Sequence, residues 1–187
     1  LVNGRGGLTA PATLVCRCLL VPAGKYWALI DAGLGMSDLR DPRGRLVDTF
    51  LRRVRPALDP EETAIRQVQK LDIDPHDVRS IILTHHDLDH VGGISDFPWA
   101  DVYVSRKQVD LIIPALRRDM ARRLHPAQWS HTPQWAPVDL LETWRSRPAR
   151  RVSDQLRLVA LDGHIDGHCA VVIDREGRSP LIHAGDA

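Results

Sequence analysis

At 187 residues the chain is long enough to bury a sizeable core within one domain. Its 25 Lys and Arg nearly cancel its 24 Asp and Glu, for a net charge of +1, so no electrostatic footprint argues for nucleic acid or an anionic membrane. No apolar stretch is long enough to span a bilayer and no signal peptide is visible, although a start at Leu1 without Met leaves a missing leader open.

In chain order, residues 13–21 and 26–31 are apolar runs joined by Pro22-Ala23-Gly24-Lys25, a β-hairpin pattern. Cys16 and Cys18 lie two apart in the first run, where a strand would put them on one face. With Cys169 they read as buried, reduced thiols, which fits a cytoplasmic protein. The second run ends at Asp31, either a surface turn residue or a buried acceptor beside a site, the latter preferred. Apolar spacing predicts a helix over 46–54, and Asp59-Pro60 a helix start before the stripe Ala64, Ile65, Val68, Leu71. Asp74-Pro75 opens a turn before a central strand over 78–83.

That strand stops in Thr84-His85-His86-Asp87-Leu88-Asp89-His90, where five of six residues from His85 can bind a metal, followed by Gly92-Gly93. Imidazoles and carboxylates together suit zinc or another first-row ion, and so many donors exceed one tetrahedral ion, which suggests two. Residues 101–105 form a short strand, 106–113 a helix ending at Pro114, and 115–124 an amphipathic helix with a solvated arginine face. Residues 126–148 lack periodicity but carry Trp129, His131, Trp135 and Trp144, and are read as a lid or substrate wall. The lid-like insertion is bounded at 106–153 within a single domain, 1–187. Strands over 156–161, 170–173 and 181–184 follow, with further ligand-type clusters at 162–168 and 183–186.

Three separated clusters resemble motifs of the metallo-β-lactamase superfamily. Thr84 to Gly93 resembles T-H-x-H-x-D-H-x-G-G, Gly163 to His168 resembles G-H-x-x-G-H, and Leu181 to Asp186 is similar to the strand ending in Gly-Asp. The Asp31-Ala32-Gly33 turn matches that family's early Asp-x-Gly. The resemblance implies an α/β (α+β) fold, an αββα sandwich of two mixed β-sheets flanked by helices. Carried over by motif, His85, Asp87 and His168 would hold a first ion, and Asp89 and His90 a second, with Asp186 bridging. Asp89 and Asp186 would be the catalytic carboxylates, and His86, Asp31 and His164 would support the ligands.

Two departures qualify this. Asp87 replaces the family's second His, which makes manganese or iron plausible beside zinc. The chain also stops one residue after Asp186, so the family's last strands and last His ligand are missing from it. The missing strands would expose a sheet edge open to swapping or to a homodimer. The leading expectation is a two-metal hydrolase acting through a metal-held hydroxide on an ester-like bond, lactone or thioester, of a small molecule. A redox enzyme using iron and an impaired metal-binding domain are the alternatives.

Overall fold

The computed structural model describes residues 14–118 and 125–187. The two apolar runs form the hairpin: β1 (Leu19–Ala23) and β2 (Tyr26–Ile30) pair antiparallel around Gly24, whose φ of +67° a side chain would resist. Residues 14–18 stay outside the sheet, so the cysteine pair does not share a strand face. Three short helices follow: α1 (Met36–Arg40), α2 (Pro42–Arg45) and α3 (Asp48–Val54). The stripe predicted for α3 is largely unused, because Leu46 just before it is buried while α3 itself buries no residue.

Asp59 and Asp74 act as caps, each carboxylate accepting the N–H two residues on, from Glu61 and His76, both at 2.9 Å. They lead into α4 (Ala64–Lys70) and β3 (Val78–Ile82). A single-turn helix, α5 (Leu88–Val91), follows the His/Asp burst, then β4 (Asp101–Ser105) and α6 (Arg106–Arg118). α6 continues through Pro114 where the sequence predicted its end, and residues 119–124 of the second predicted helix lie outside the described residues. The remaining strands are β5 (Gln134–Val138), β6 (Glu142–Trp144), β7 (Arg147–Arg151), β8 (Leu156–Ala160), β9 (Cys169–Arg175) and β10 (Arg178–His183).

These strands make two five-stranded sheets, ordered β1-β2-β3-β4-β5 and β10-β9-β8-β7-β6. The first is mixed, antiparallel only between β1 and β2. The second is antiparallel throughout its described strands, which corrects the expectation of two mixed sheets. Its strands follow each other through turns, so no crossover helix is needed to reverse the chain.

The stretch predicted as a lid-like insertion over 106–153 supplies β5 to the first sheet and β6 and β7 to the second. It is built into the sandwich. Period-two burial sorts the core: Ala28, Ile30 and Ile82 of the first sheet face Leu156, Leu158, Val171 and Ile173 of the second. Leu29 and Ile81 point the other way, onto Val68 of α4, Val91 of α5 and Val109 and Ile112 of α6. Each such side chain contributes about 1.5–3 kcal/mol by leaving water.

Two loops meet at glycines. Gly93 donates its N–H to the Gly33 carbonyl at 2.9 Å, and a Cβ at Gly93 would run into the Ala32 carbonyl. Beside this contact Asp96 accepts the Met36 N–H at 2.9 Å. Burial pushes the Asp96 carboxyl up to about 6; the Met36 N–H and the positive charges of Arg40 and Arg45 oppose the rise, and the charge of Asp38 adds to it. A folded-state value above the unfolded value of about 3.9 means a stabilising contribution present below that pH and lost as pH rises through 6. Asp96→Asn keeps the acceptor for Met36 and removes the charge. Urea unfolding should show it about 1–2 kcal/mol more stable than wild type at neutral pH and equal to it near pH 4. A variant no more stable at neutral pH would contradict the assignment.

Candidate metal centre

The site gathers at one edge of the sandwich, where β2 ends in Asp31, β3 ends in Thr84 to His90, the β8–β9 loop carries His164 and His168, and β10 runs into Asp186. Asp31 anchors it. It is 1% exposed, with a left-handed φ of +53°, and is the buried acceptor the sequence favoured. Its Oδ1 accepts the Thr84 N–H at 2.8 Å, and its Oδ2 accepts the Thr84 hydroxyl at 2.9 Å, His90 Nδ1 at 2.9 Å and His183 Nε2 at 3.1 Å. Burial alone would raise its pKa; the hydrogen bonds from His183 and His90, the charge of His90 and the Thr84 N–H outweigh it and hold the carboxyl well below the usual range.

These bonds fix where the ring protons sit. The single Thr84 hydroxyl proton goes to Asp31, so Thr84 Oγ1 accepts from His85 Nδ1 at 2.9 Å. His85 Nε2 is left with its lone pair, fully buried and without a hydrogen-bond partner. It lies 3.6 Å from Asp87 Oδ2 and 3.9 Å from Asp186 Oδ2. His90 gives its Nδ1 proton to Asp31, which turns Nε2 toward Asp186 Oδ1 at 3.2 Å. Burial lowers the His90 pKa, but the hydrogen bond and charge of Asp31, then the charges of Asp89 and Asp186, carry it up to about 9. Both rings thus aim Nε2 at carboxylates, an arrangement that calls for a proton or a cation between them.

His164 lies close to the carboxylates of the cluster. Expected as a supporting residue, it places Nε2 2.9 Å from Asp87 Oδ2 and 3.7 Å from Asp186 Oδ2. His85, Asp87 and His164 offer donor atoms that all lie within 4.8 Å of one another, as do those of His85, His90 and Asp186. His168, expected as a ligand of the first ion, has a buried Nε2 without a hydrogen-bond partner, as His85 has, and its ring centroid lies 5.0 Å from that of His85. Its Nδ1 donates to the Leu161 carbonyl at 3.0 Å, and Nε2 is buried against Gly185, where an added Cβ would come within 2.7 Å. Burial, then the neighbouring His85, lowers its pKa and keeps the ring neutral. The loop between His164 and His168 is held at Gly167, by Ser105 Oγ on its carbonyl at 2.7 Å and by Asp162 on its N–H at 3.1 Å.

Other predicted residues fall as follows. His86 is buried and bonds Gln108, which in turn donates to the Asp166 carbonyl, so it props the β8–β9 loop. Asp89 stands at the rim, approached by Cys16, whose Sγ lies 2.8 Å from the Asp89 carbonyl and 3.4 Å from its Oδ2. Cys16 as a whole is exposed, but its Sγ is turned from water against the site, and that desolvation, then the charge of Asp89, raises the thiol. Sequence reasoning missed this cysteine by placing it in a strand. The proposed wall is also corrected. Trp129 is buried in the core cluster beneath the first sheet, with Trp135 tilted against it at 5.3 Å. Partly buried His131 has its pKa lowered by burial, then by Arg45, a residue that also bonds the Ala127 carbonyl at the start of that turn. Trp135 is carried to that core cluster by β5, which pairs with β4, and Trp129 by the turn at Pro126–Trp129 just before that strand.

The structure is a two-sheet sandwich with an imidazole–carboxylate cluster on one edge, a donor set that fits a metal ion. The model of the metallo-beta-lactamase superfamily matches residues 12–187, and the chain belongs to that superfamily. A protein of Mycobacterium tuberculosis named "Probable metallo-hydrolase" is 39% identical over 183 residues, covering 93% of this chain and 57% of its own length. The N-acyl homoserine lactonase AttM of Agrobacterium fabrum is 34% identical over 92 residues, covering 48% of this chain and 33% of its own length. A solved N-acyl homoserine lactone hydrolase, with N-hexanoyl-L-homoserine at its catalytic metal center, superposes with a TM-score of 0.67 at 18% identity. That superposition covers 94% of this chain and 66% of the hydrolase. The chain therefore spans little more than half of the curated mycobacterial relative. Among the described residues no helix is long and apolar enough to cross a membrane.

Asp31 offers the direct test of this wiring. Asn tolerates its left-handed backbone and keeps one oxygen, but its NH2 would face donors. Asp31→Asn should lower stability by about 3–5 kcal/mol, as for a broken buried ion pair, and weaken zinc binding about 10- to 100-fold. Thermal melts and calorimetric zinc titration check both. Unchanged zinc affinity in a folded variant would refute the orienting role.

Proposed function

We propose that this chain carries a two-metal centre that hydrolyses a lactone or related ester of a small molecule. The observation that carries the reading is the convergence of His85, His90 and His164 Nε2 on the carboxylates of Asp87 and Asp186. His85, Asp87 and His164 would hold one ion, Asp89 and His90 the other, and Asp186 would serve both. Zinc fits the imidazole nitrogens, and the extra carboxylate Asp87 also suits manganese or iron. Divalent ions at this place would acidify water and polarise a scissile carbonyl.

The chain's own residues do the rest. Thr84 and Asp31 engage Nδ1 of His85 and of His90, so each ring is already oriented with Nε2 toward the place of an ion, and His90 gives up its Nε2 proton when an ion binds. Asp87, Asp89 and Asp186 balance the positive charge, and Asp186, 42% exposed on its side chain, opens the cluster to an incoming substrate. Asp89 at the rim is placed to take a proton from attacking water. The lactone class rests on the relatives: AttM is named a lactonase, and the solved hydrolase holds an opened acyl-homoserine.

The test is turnover by the zinc-loaded chain on N-acyl homoserine lactones and acyl thioesters, followed by acid release, with metal content measured in parallel. Hydrolysis is expected, and His164→Ala should cost at least about 100-fold in rate together with metal. His168→Ala should keep metal stoichiometry and lose about 2–4 kcal/mol of stability, as a cavity in a packed loop does. Two bound ions without hydrolysis of either ester class would sink the activity. Loss of metal in His168→Ala but not in His164→Ala would reverse the ligand assignment.

A further inference from the structure

The three thiols sit in different surroundings. Cys169 is buried, with Sγ 3.5 Å from the Gly167 carbonyl, and Cys18 packs against the core cluster under the first sheet, close to Gly33. Cys16 is exposed and leans on the metal centre. Its Sγ, a carboxylate oxygen of Asp89 and a ring nitrogen of His90 all lie within 4.8 Å of one another. His90 has only Nε2 to offer there, because Nδ1 is bonded to Asp31, and that Nε2 already faces Asp186 Oδ1 at 3.2 Å. An independent sign that a cation belongs beside this group comes from His85, whose fully buried and unpartnered Nε2 aims at the other Asp186 oxygen, 3.9 Å away.

We propose that Cys16 is a thiolate ligand of the second metal ion, joining Asp89, His90 and Asp186. The inference rests on the two-metal reading above and adds a ligand from the segment before β1. When the sulfur–metal bond forms, the S–H bond breaks and its proton, now directed at the Asp89 carbonyl, passes to solvent, with no change of oxidation state. The two ions then differ in kind. The first lies among two imidazoles and hard carboxylates, Asp87 and Asp186. The second gains a soft sulfur, which favours zinc or cobalt over manganese. A thiolate also adds negative charge at the second ion and holds residues 14–18 across the rim of the site.

Cobalt(II) titration of the reduced, chelator-treated 187-residue chain reads this directly. A near-ultraviolet thiolate-to-cobalt charge-transfer band should grow with the second equivalent. Cys16→Ser should abolish the band, keep the visible cobalt absorption of the first ion, and weaken second-ion binding about tenfold or more. Cys18→Ser and Cys169→Ser should keep the band. On the wild-type chain, zinc should slow alkylation of Cys16 by iodoacetamide, located by peptide mass, about tenfold, and a chelator should restore it. A second equivalent bound without the band, a band that survives Cys16→Ser, or alkylation indifferent to zinc overturns the Cys16 ligand while leaving the two-metal reading intact. Failure of the wild-type chain to take up a second ion would overturn both.

Discussion

A buried carboxylate with every acceptor position engaged organises this protein. Asp31 cannot meet water, so its charge persists only because β3 supplies the Thr84 N–H and hydroxyl, the turn after β3 supplies His90, and β10 supplies His183. Those donors come from both sheets. The same bonds that keep the charge also dictate which nitrogen of His85 and of His90 carries a proton. The placement of lone pairs at the site is thus a consequence of solving a burial problem in the core. Asp31 is afforded its position by a tight turn in which Ala32 donates to the His90 carbonyl at 2.8 Å and Gly93 approaches from the opposite loop.

Beyond that anchor the cluster is electrostatically incomplete. Imidazole Nε2 atoms of His85, His90 and His164 face carboxylate oxygens of Asp87 and Asp186 at 2.9 to 3.9 Å. With its proton on Nδ1, His85 turns a buried lone pair toward negative oxygens, and His90, charged when no ion is present, turns its Nε2 proton toward Asp186; a cation would satisfy the first and take the place of the second. The rigid part of the centre, His85 and His90, follows the end of a buried parallel strand. The adjustable part, His164 and Asp186, sits on loops tethered by glycines, Gln108 and Ser105. Scaffold and loop divide the labour, as in enzymes whose functional groups ride on loops over a fixed frame.

Much of this was legible in the chain. A continuous apolar run stopping in His85 to His90 reads as a buried strand delivering polar groups to an edge, and β3 with α5 has that geometry. Short apolar runs likewise located β2, β4, β8 and β9. What failed was what local pattern cannot encode. Nothing near His168 in sequence announces that its ring is set by the Leu161 carbonyl and the backbone of Gly185. Cys16 and Cys18 alternate like strand residues, yet β1 begins at Leu19 because its pairing with β2 ends at Ile30. Trp129 and Trp135 sit among prolines without periodicity; a long-range parallel pairing with β4, invisible locally, sets Trp135 against Trp129 in the core.

The site is also where the two sheets are stitched together. Cys169 at the start of β9 donates its N–H to the Thr84 carbonyl at 2.9 Å, His183 of β10 reaches Asp31, and Gly185 fits between His168 and Thr84 with no room for a side chain. Apolar contact between the sheets sets their spacing, but it is non-directional and would tolerate small slips. The polar stitching at Thr84 and Asp31 is directional and fixes the register of one sheet over the other. Any ion held by His85 and Asp186 bridges the same two sheets, one ligand from each. Its binding free energy therefore adds to closure of the sandwich as well as to the chemistry. A scaffold built this way gains from its metal twice, because the geometry that binds the ion is the geometry that keeps the layers in register.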